Sequence, residues 1–195
     1  MRVRELLKDA VRRLAASGSP DPEADAAWLM SDALRLSRGA LPLRMDEELA
    51  GEALYWFQAA LGRRAEGEPL QYVEGFAWFY GRKFLVDGRV LIPRPDTETL
   101  LEAALSRLKG GMRALDLCTG SGILAVSMKL ENPDATVAGT DISPDALEVA
   151  RENARRLGAA VDYHLGDLFK AVPGTYDLIV SNPPYLTEGD MASLQ

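Results

Sequence analysis

The residues best suited to chemistry are Asn182, Pro183, Pro184 and Tyr185, which directly follow the largely apolar stretch 176–180. Proline lacks an N–H, so two successive prolines end a sheet ladder and fix an extended exit from a strand. The side-chain oxygen of Asn182 and the carbonyl of Pro183 could then accept both hydrogens of a planar NH₂ group, on which Tyr185 could stack. Because Pro-Pro is common in loops, an ordinary strand exit is the alternative interpretation.

A glycine-containing loop lies upstream, between a predicted strand at 114–117 and a predicted helix at 123–130. Its residues are Cys118, Thr119, Gly120, Ser121 and Gly122. Glycine permits a tight turn and lets a ligand approach the backbone closely. The first turn of a helix leaves N–H groups that suit an anionic or polar ligand. Dinucleotide and nucleoside sites share such loops, so the loop alone predicts no particular reaction.

Asp141 stands at the end of the next predicted strand, residues 136–140. A carboxylate at this point is placed to bind the hydroxyl groups of a ribose. Nicotinamide enzymes use the same feature, and Asp141 therefore indicates a nucleoside rather than a type of chemistry. The glycine spacing, Asp116-x-x-x-Gly120-x-Gly122, differs from the three-glycine dinucleotide fingerprint.

Together these segments resemble class I S-adenosylmethionine-dependent methyltransferases, in particular the family that methylates a glutamine side chain of peptide chain release factors (PrmC, also called HemK). Three further segments look like signatures of that family: Glu-Pro-Leu-Gln-Tyr-Val-Glu-Gly at 68–75, Leu-Ile-Pro-Arg-Pro-Asp-Thr-Glu at 91–98 and Gly-Asp-Leu-Phe at 166–169. The resemblance covers nearly the whole sequence. One departure is Cys118, which stands where many relatives have glycine.

The resemblance implies an enzyme, a protein-(glutamine-N5) methyltransferase, with S-adenosylmethionine as its cofactor and a release factor as its protein partner. The implied cofactor-binding residues are Cys118, Thr119, Gly120, Ser121, Gly122, Asp141, Leu168 and Asn182. The implied substrate-binding residues are Asn182, Pro183, Pro184 and Tyr185, of which Asn182, Pro183 and Tyr185 are also catalytic. Such a transfer would be an in-line displacement that depends mainly on positioning.

Simpler roles are expected for other polar residues. Asp116 could brace the glycine loop by accepting backbone N–H bonds, and Asp167 could hold its own turn while Leu168 packs on an adenine. Cys118 faces a predicted helix N-terminus, which could lower the pKa of its thiol, although a small loop filler is the simpler role. His164 has no accompanying ligands at metal-binding spacing, so no metal is expected.

The composition limits the class of protein. The chain has 195 residues, of which 47% are hydrophobic and 26% charged, as is usual for a soluble globular protein. A net charge of −7 argues against a duplex nucleic-acid surface, and no direct DNA binding is expected. No stretch approaches the roughly 20 apolar residues that a membrane span needs. A single cysteine excludes an internal disulfide and fits a reducing, cytoplasmic location.

The sequence pattern changes near residue 75. We predict an α/β protein with a helical substrate-recognition domain (1–75), a β-hairpin linker (76–95) that turns at Asp87-Gly88, and a methyltransferase domain (96–195). The last domain would be a doubly wound Rossmann-like sheet, truncated after its fourth strand. The predicted helices of the first domain cover 3–15, 22–36 and 46–64, and the helix at 97–108 would be capped by Asp96 or Thr97. The apolar stripes of the first three helices are most simply core, with protein docking as the alternative.

Three alternatives for function stay open. Adenine-specific DNA methyltransferases use a similar Asn/Asp-Pro-Pro-Tyr segment, but they need a basic DNA-reading region. A relative that methylates a glutamine of a ribosomal protein is closer in chemistry. The third alternative is an inactive fragment, since the family continues for several strands beyond Tyr185. In that case residues 177–180 would form an unpaired apolar edge that favours self-association.

Overall fold

The computed structural model describes residues 1–184, apart from the side chain of Arg38. The chain divides into two compact units, with the boundary after Gly75. Tyr185 and the rest of the chain end lie outside the described residues, and so do the predictions that concern them.

The first unit is built from helices. They are α1 (Val3–Ala16), α2 (Pro22–Ala33), a 3₁₀ helix (Arg38–Arg44), α3 (Gly51–Ala65) and α4 (Leu70–Glu74). Helix α2 starts as expected, with Pro22 in its first turn and the side chain of Asp21 accepting a hydrogen bond from the N–H of Ala24 (3.1 Å). Buried side chains from α1, α2 and α3, among them Leu14, Leu29 and Phe57, form its core.

Two helix boundaries in this unit differ from the prediction. Helix α3 begins at Gly51 rather than near residue 46, because residues 45–49 bond to the N-terminal segment: Val3 donates to the carbonyl of Glu47 and Leu49 to that of Met1. Helix α2 stops three residues early, at Ala33. Arg35 then adopts a left-handed conformation (φ 54°), which closes the helix end.

The second unit contains a hairpin and a four-stranded parallel sheet. Its elements are β1 (Phe76–Phe79), β2 (Arg82–Leu85), α5 (Pro95–Leu105), β3 (Arg113–Leu117), α6 (Ile123–Glu131), β4 (Thr136–Asp141), α7 (Pro144–Leu157), β5 (Val161–Leu165), a 3₁₀ helix (Leu168–Ala171) and β6 (Leu178–Ser181). The strand order is β5-β4-β3-β6, with all neighbours parallel. The predicted fold class, a Rossmann-like α/β sheet preceded by helices, is confirmed.

The hairpin turn was predicted at the wrong place. Strands β1 and β2 pair from Phe76↔Leu85 to Phe79↔Arg82, so the turn is Tyr80-Gly81. Both turn residues have positive φ (48° and 71°), as the type I′ turn of a two-residue hairpin loop requires. The turn at Asp87 lies beyond β2, where Asp87 accepts hydrogen bonds from the N–H groups of Arg89 and Val90 instead of joining paired strands.

Helix α5 also begins earlier than predicted. Pro95 occupies its first position and Arg94, whose backbone is extended (ψ 149°), precedes it without a side-chain cap. The capping roles expected for Asp96 and Thr97 are therefore wrong. The reason is the proline itself, which favours the first helical turn and forces an extended conformation on the residue before it.

A missing side chain in the middle of the sheet makes room for an aromatic ring. Asp116, Gly139 and Tyr163 lie side by side on β3, β4 and β5. A Cβ atom on Gly139 would lie 2.8 Å from Cε1 of Tyr163 and 3.1 Å from Oγ1 of Thr119. Glycine at this position therefore lets the Tyr163 ring lie on the sheet backbone beside the site.

Replacing Gly139 with alanine should lower the free energy of unfolding by about 1–3 kcal/mol, because the added methyl group overpacks this contact. Urea unfolding followed by circular dichroism measures the effect. Gly62→Ala is the matched control: it lies inside α3, a Cβ there meets nothing within 4 Å, and no loss is expected. In a Tyr163→Leu background the cost of Gly139→Ala should shrink; an equal cost in both backgrounds would contradict the packing explanation.

Candidate active site

The glycine loop connects the end of β3 to the start of α6. Cys118, Gly120 and Gly122 all have positive φ (60°, 54° and 80°), which gives the loop its tight path. The N–H of Thr119 donates to the carbonyl of Thr140 on the neighbouring strand (2.9 Å). Gly122 immediately precedes the first residue of α6. The predicted strand–loop–helix unit is thus present, with the helix N-terminus at the carboxyl end of the sheet.

Asp116 braces this loop from beneath. Its Oδ2 accepts hydrogen bonds from the hydroxyl of Thr119 (2.6 Å) and the N–H of Ala125 in the first turn of α6 (3.2 Å). The side chain is almost fully buried. Burial raises the pKa of Asp116 to about 7; the nearby negative charge of Asp141 adds to the rise, while the two hydrogen bonds oppose it. These contacts agree with the bracing role that the sequence led us to expect for Asp116.

Asp141 lies at the end of β4 and holds the loop from the side. Its Oδ2 accepts a hydrogen bond from the N–H of Gly120 (2.9 Å), and its Oδ1 accepts one from the N–H of Ser143 (3.0 Å). An ionised carboxylate has about four acceptor positions, so these two bonds leave capacity for the hydroxyl groups of a ribose. The structure adds a loop-holding role that the sequence did not indicate.

The thiol of Cys118 behaves differently from the expectation. Its pKa is raised, first by burial and then by the negative charges of Asp141, Asp116 and Asp167, against a hydrogen bond with Ser181 that lowers it. The lowering of the pKa that a helix N-terminus could have caused is therefore not found, and the role of Cys118 as a small loop filler stays a prediction. Burial of the thiol is the largest cause of the raised pKa, and the three carboxylates add to it.

The turn at 166–169 lies at the same edge of the sheet. Thr140 on β4 donates from its hydroxyl to the carbonyls of Gly166 and Leu168 (both 3.4 Å). The side chain of Leu168 is about half exposed, and the backbone of this residue is left-handed (φ 50°). Asp167 accepts a hydrogen bond from Nζ of Lys170 (2.6 Å), so it holds its turn through a side chain rather than through backbone N–H groups.

Asn182 follows β6 directly and comes close to the glycine loop. It lines a cavity of about 50 Å³ together with four of the predicted cofactor residues, Cys118, Thr119, Gly120 and Ser121. Gly122, Asp141 and Leu168 are not among the residues that line this cavity. Asn182 also lines a second cavity of about 120 Å³, beside Arg94, Asp96, Thr97, Leu100 and Ser181. Pro183 and Pro184 come next in the chain and line neither cavity.

Sequence reasoning missed two side chains that support the site. Asn153 on α7 donates to the carbonyls of Ser121 (2.9 Å) and Leu85 (3.0 Å) and accepts from the N–H of Leu85 (2.7 Å), so it joins the glycine loop to β2. Glu98 accepts from the N–H of Tyr80 in the hairpin turn (2.7 Å). An asparagine on the apolar face of α7 was the available signal for the first; none marked the second.

Residues 1–184 contain neither a metal-binding cluster nor a membrane-spanning helix. No group of three or more His, Cys, Asp or Glu side chains there is arranged to hold a metal ion. In the same part of the chain, no helix has the length and apolar character needed to cross a membrane.

Comparison with known proteins decides the family. Residues 5–75 match the family model described as the PrmC N-terminal domain, and residues 95–194 match the methyltransferase small domain. The release factor glutamine methyltransferase of Deinococcus radiodurans is 43% identical over 195 residues, which are 99% of this chain and 70% of that protein. The protein of the same description from Koribacter versatilis is 40% identical over 100% of this chain and 71% of its own length.

The chain belongs to the release factor glutamine methyltransferase family. The family prediction is thereby confirmed. A solved structure, a methyltransferase from Pyrococcus furiosus, is 26% identical with a TM-score of 0.47, covering 66% of this chain and 61% of that one.

S-adenosylmethionine is the cofactor that a methyltransferase domain implies, and this prediction is confirmed. The residues present fit it. Gly120 has open space where a Cβ would be, so a ligand can approach the loop backbone. Oδ1 of Asp116 is buried without a hydrogen-bond partner among the described residues, and Asp116 lines the cavity. A cationic donor on a bound cofactor would suit that oxygen.

Asp116→Asn should change how the stability of this methyltransferase depends on pH. The pKa of Asp116 is raised from its usual 3.8 to about 7, so the folded state holds this proton more tightly than the unfolded state. Its contribution to stability is therefore present below about pH 4 and is lost as the pH rises toward 7. Asparagine cannot titrate. The free energy of unfolding of the variant, relative to that of the wild type, should therefore rise by about 4 kcal/mol across that pH window. Urea unfolding at several pH values measures the difference; a constant difference would contradict the burial of a titrating Asp116.

Asp141→Ala should weaken S-adenosylmethionine binding by about 1.5–3 kcal/mol, or roughly 10- to 150-fold in Kd, because hydrogen bonds to a charged group are lost. Isothermal titration calorimetry measures Kd, with Asp162→Ala, whose side chain is mostly exposed, as the control. A cofactor analogue that lacks a ribose hydroxyl separates ribose binding from loop support. In the wild type, this analogue should bind more weakly than the natural cofactor. In Asp141→Ala, the two ligands should bind with similar affinity. If the analogue bound more weakly than the natural cofactor by the same factor in both proteins, Asp141 would not bind that ribose hydroxyl.

Proposed function

We propose that the chain transfers a methyl group from S-adenosylmethionine to the side-chain amide nitrogen of a glutamine in a peptide chain release factor. The observation that carries the proposal is the position of Asn182, which lies on the wall of both the glycine-loop cavity and the neighbouring cavity. A methyl donor on one side and an amide on the other would meet at this residue. The descriptions of the relatives supply the substrate class.

The residue roles in this proposal combine the cavity lining with the sequence pattern. The loop residues, with Asp141, Leu168 and Asn182, bind the cofactor, and Asn182, Pro183, Pro184 and Tyr185 bind the substrate amide. The described contacts support loop rigidity and the proximity of Asn182 to the loop. The role of Tyr185 rests on the sequence pattern, since this residue lies outside the described part of the chain.

The two units take different roles in the same proposal. Residues 1–75 recognise the protein substrate, residues 76–95 link this unit to the catalytic one, and residues 96–195 bind the cofactor and carry out the transfer. The match of residues 5–75 to a family-specific N-terminal domain supports the first assignment. We also propose a cytoplasmic location, in keeping with the single unpaired cysteine.

The chemical problem is the weak nucleophilicity of an amide nitrogen, whose lone pair is delocalised into its carbonyl. When bound, S-adenosylmethionine supplies an electrophilic methyl group on a sulfonium. The oxygen of Asn182 and the carbonyl of Pro183 accept the two amide hydrogens, which fixes the nitrogen and increases its electron density. These oxygens also stabilise the positive charge that develops on nitrogen. Neither acceptor is a strong base, so the proton that the nitrogen loses passes to solvent.

Positioning accounts for most of the expected acceleration. A well-oriented reaction gains on the order of 7–11 kcal/mol from holding the reacting groups together. The chain supplies this through braced elements: Asp116 and Asp141 hold the loop on one side of the cavity, and β6 delivers Asn182 on the other. The overall acidity of the chain gives no support to DNA as the substrate.

Asn182→Ala should lower kcat/KM for release factor methylation by at least 10²–10³-fold, the usual cost of removing one hydrogen-bonding group that stabilises transition-state charge. Transfer of labelled methyl groups from S-adenosylmethionine measures the rate. Asn132→Ala is the control, because Asn132 bonds to the carbonyl of Leu108 at the far end of α6 and should leave the rate unchanged.

The matching change in the substrate replaces the methylated glutamine of the release factor with glutamate, which removes the NH₂ group. No methyl transfer to that position is expected. Methylation of the glutamate form as fast as of the glutamine form would show that the site does not hold an amide.

A further inference from the structure

Thr97 is a polar residue on the buried face of a helix. It lies in the first turn of α5 and is only 3% exposed, and with Leu101 and Ala104 it occupies the i, i+4, i+7 positions that face the core. An apolar side chain would suit the packing at such a position. The hydroxyl of Thr97 instead accepts a hydrogen bond from Nδ2 of Asn182, with an N–O distance of 3.1 Å.

The backbone fixes the place of this hydroxyl. Pro93 and Pro95 have restricted φ angles, and Arg94 between them is extended, so the helix begins at a defined residue. The N–H of Thr97 donates to the carbonyl of Arg94 (3.0 Å). Leu101, which is fully buried one turn later, anchors the helix on the core. Because threonine is also branched at Cβ, its side chain has few rotamers available.

The amide of asparagine has two chemically opposite ends, an acceptor oxygen and a donor NH₂. Rotation by 180° about the last side-chain bond exchanges them with almost no change of shape. A substrate NH₂ group needs the oxygen, whereas a rotated Asn182 would oppose one donor with another. The proposed reaction therefore depends on something that defines the orientation of this amide.

We propose that Thr97 is a positioning residue: by accepting a hydrogen bond from Nδ2 of Asn182, it turns the amide oxygen toward the substrate glutamine. The inference rests on the proposed function and deepens it, because it names a residue that holds the donor end of the Asn182 amide and so presents the acceptor end to the substrate. Thr97 and Asn182 line both cavities, so their hydrogen bond lies in the wall between the loop side and the substrate side.

Substitutions that remove or keep the hydroxyl group at position 97 test this role. Thr97→Val keeps the shape and removes the hydroxyl, and kcat should fall about 3- to 10-fold, as the loss of one hydrogen bond predicts. The Kd for S-adenosylhomocysteine should change less than kcat, because the glycine loop and Asp141, which provide most of the proposed cofactor contacts, are untouched. Thr97→Ser should keep most of the wild-type kcat. Thr136→Val, at the exposed start of β4, is the control for a threonine-to-valine change outside the site.

If Thr97→Val does not fold, Thr97→Ala and Thr97→Ser give the same comparison without added atoms. Equal kcat values for the hydroxyl-bearing and hydroxyl-free forms would overturn the proposal. A parallel fall in kcat and cofactor affinity would also overturn it, since that result indicates general disruption of the site.

Nuclear magnetic resonance of asparagine-labelled protein separates this inference from the proposed function. The side-chain NH₂ signals of Asn182 should shift between the wild type and Thr97→Val and return toward the wild-type position in Thr97→Ser. Unchanged signals in Thr97→Val would refute the hydrogen bond. If the wild type did not methylate a release factor, the proposed function would fail, and the NMR result would still decide whether Thr97 orients Asn182.

Discussion

The site depends on one buried carboxylate, that of Asp116. It sits in the sheet row beside Gly139 and Tyr163, and a single oxygen receives hydrogen bonds from the loop at Thr119 and from the first turn of α6 at Ala125. Burying this carboxylate raises its pKa to about 7 and thus costs stability at neutral pH. In return, strand, loop and helix are held by one group, which fixes the path of a glycine-containing segment that would otherwise have many conformations.

Other contacts hold the same loop from the remaining directions. Asp141 bonds to Gly120 from the neighbouring strand, and Asn153 bonds to Ser121 from α7 while also holding β2. The loop is therefore fixed at successive residues by side chains from three elements. Because the loop is already ordered, little of the free energy of ligand binding is needed to order it. In the proposed reaction, the hydrogen bond from Asn182 to Thr97 would likewise hold the amide that binds the substrate.

Much of this architecture could be predicted from the sequence because it depends on local chemistry. Alternation of apolar strands with helices gave the parallel sheet, and the glycines of the loop gave the tight turn after β3. The hairpin turn was misplaced because Asp-Gly is a strong local signal, whereas Tyr80 adopts a left-handed conformation that its residue type does not favour. Glu98, eighteen residues later, binds the N–H of Tyr80 and supports that turn, and such a contact has no local pattern.

The same distinction explains the site. Residues that act through backbone shape or strand position, such as Gly120 and Asp141, could be identified from spacing. The raised pKa of Cys118 could not, because it reflects burial and carboxylates from separate strands and loops. The partners of Thr97 and Asn153 are also beyond local reasoning: Asn182 lies 85 residues from Thr97 and Leu85 lies 68 residues from Asn153, and only the fold brings them together.

All the proposed residue roles depend on one reaction, the transfer of a methyl group to a glutamine amide nitrogen. The most direct measurement is fragmentation mass spectrometry of a purified release factor after incubation with the wild-type chain and S-adenosylmethionine. The expected result is one added methyl group, located on the side-chain nitrogen of a single glutamine. A methyl group on a carboxylate or a ring nitrogen, or none on the release factor while a ribosomal protein becomes methylated under the same conditions, would contradict it.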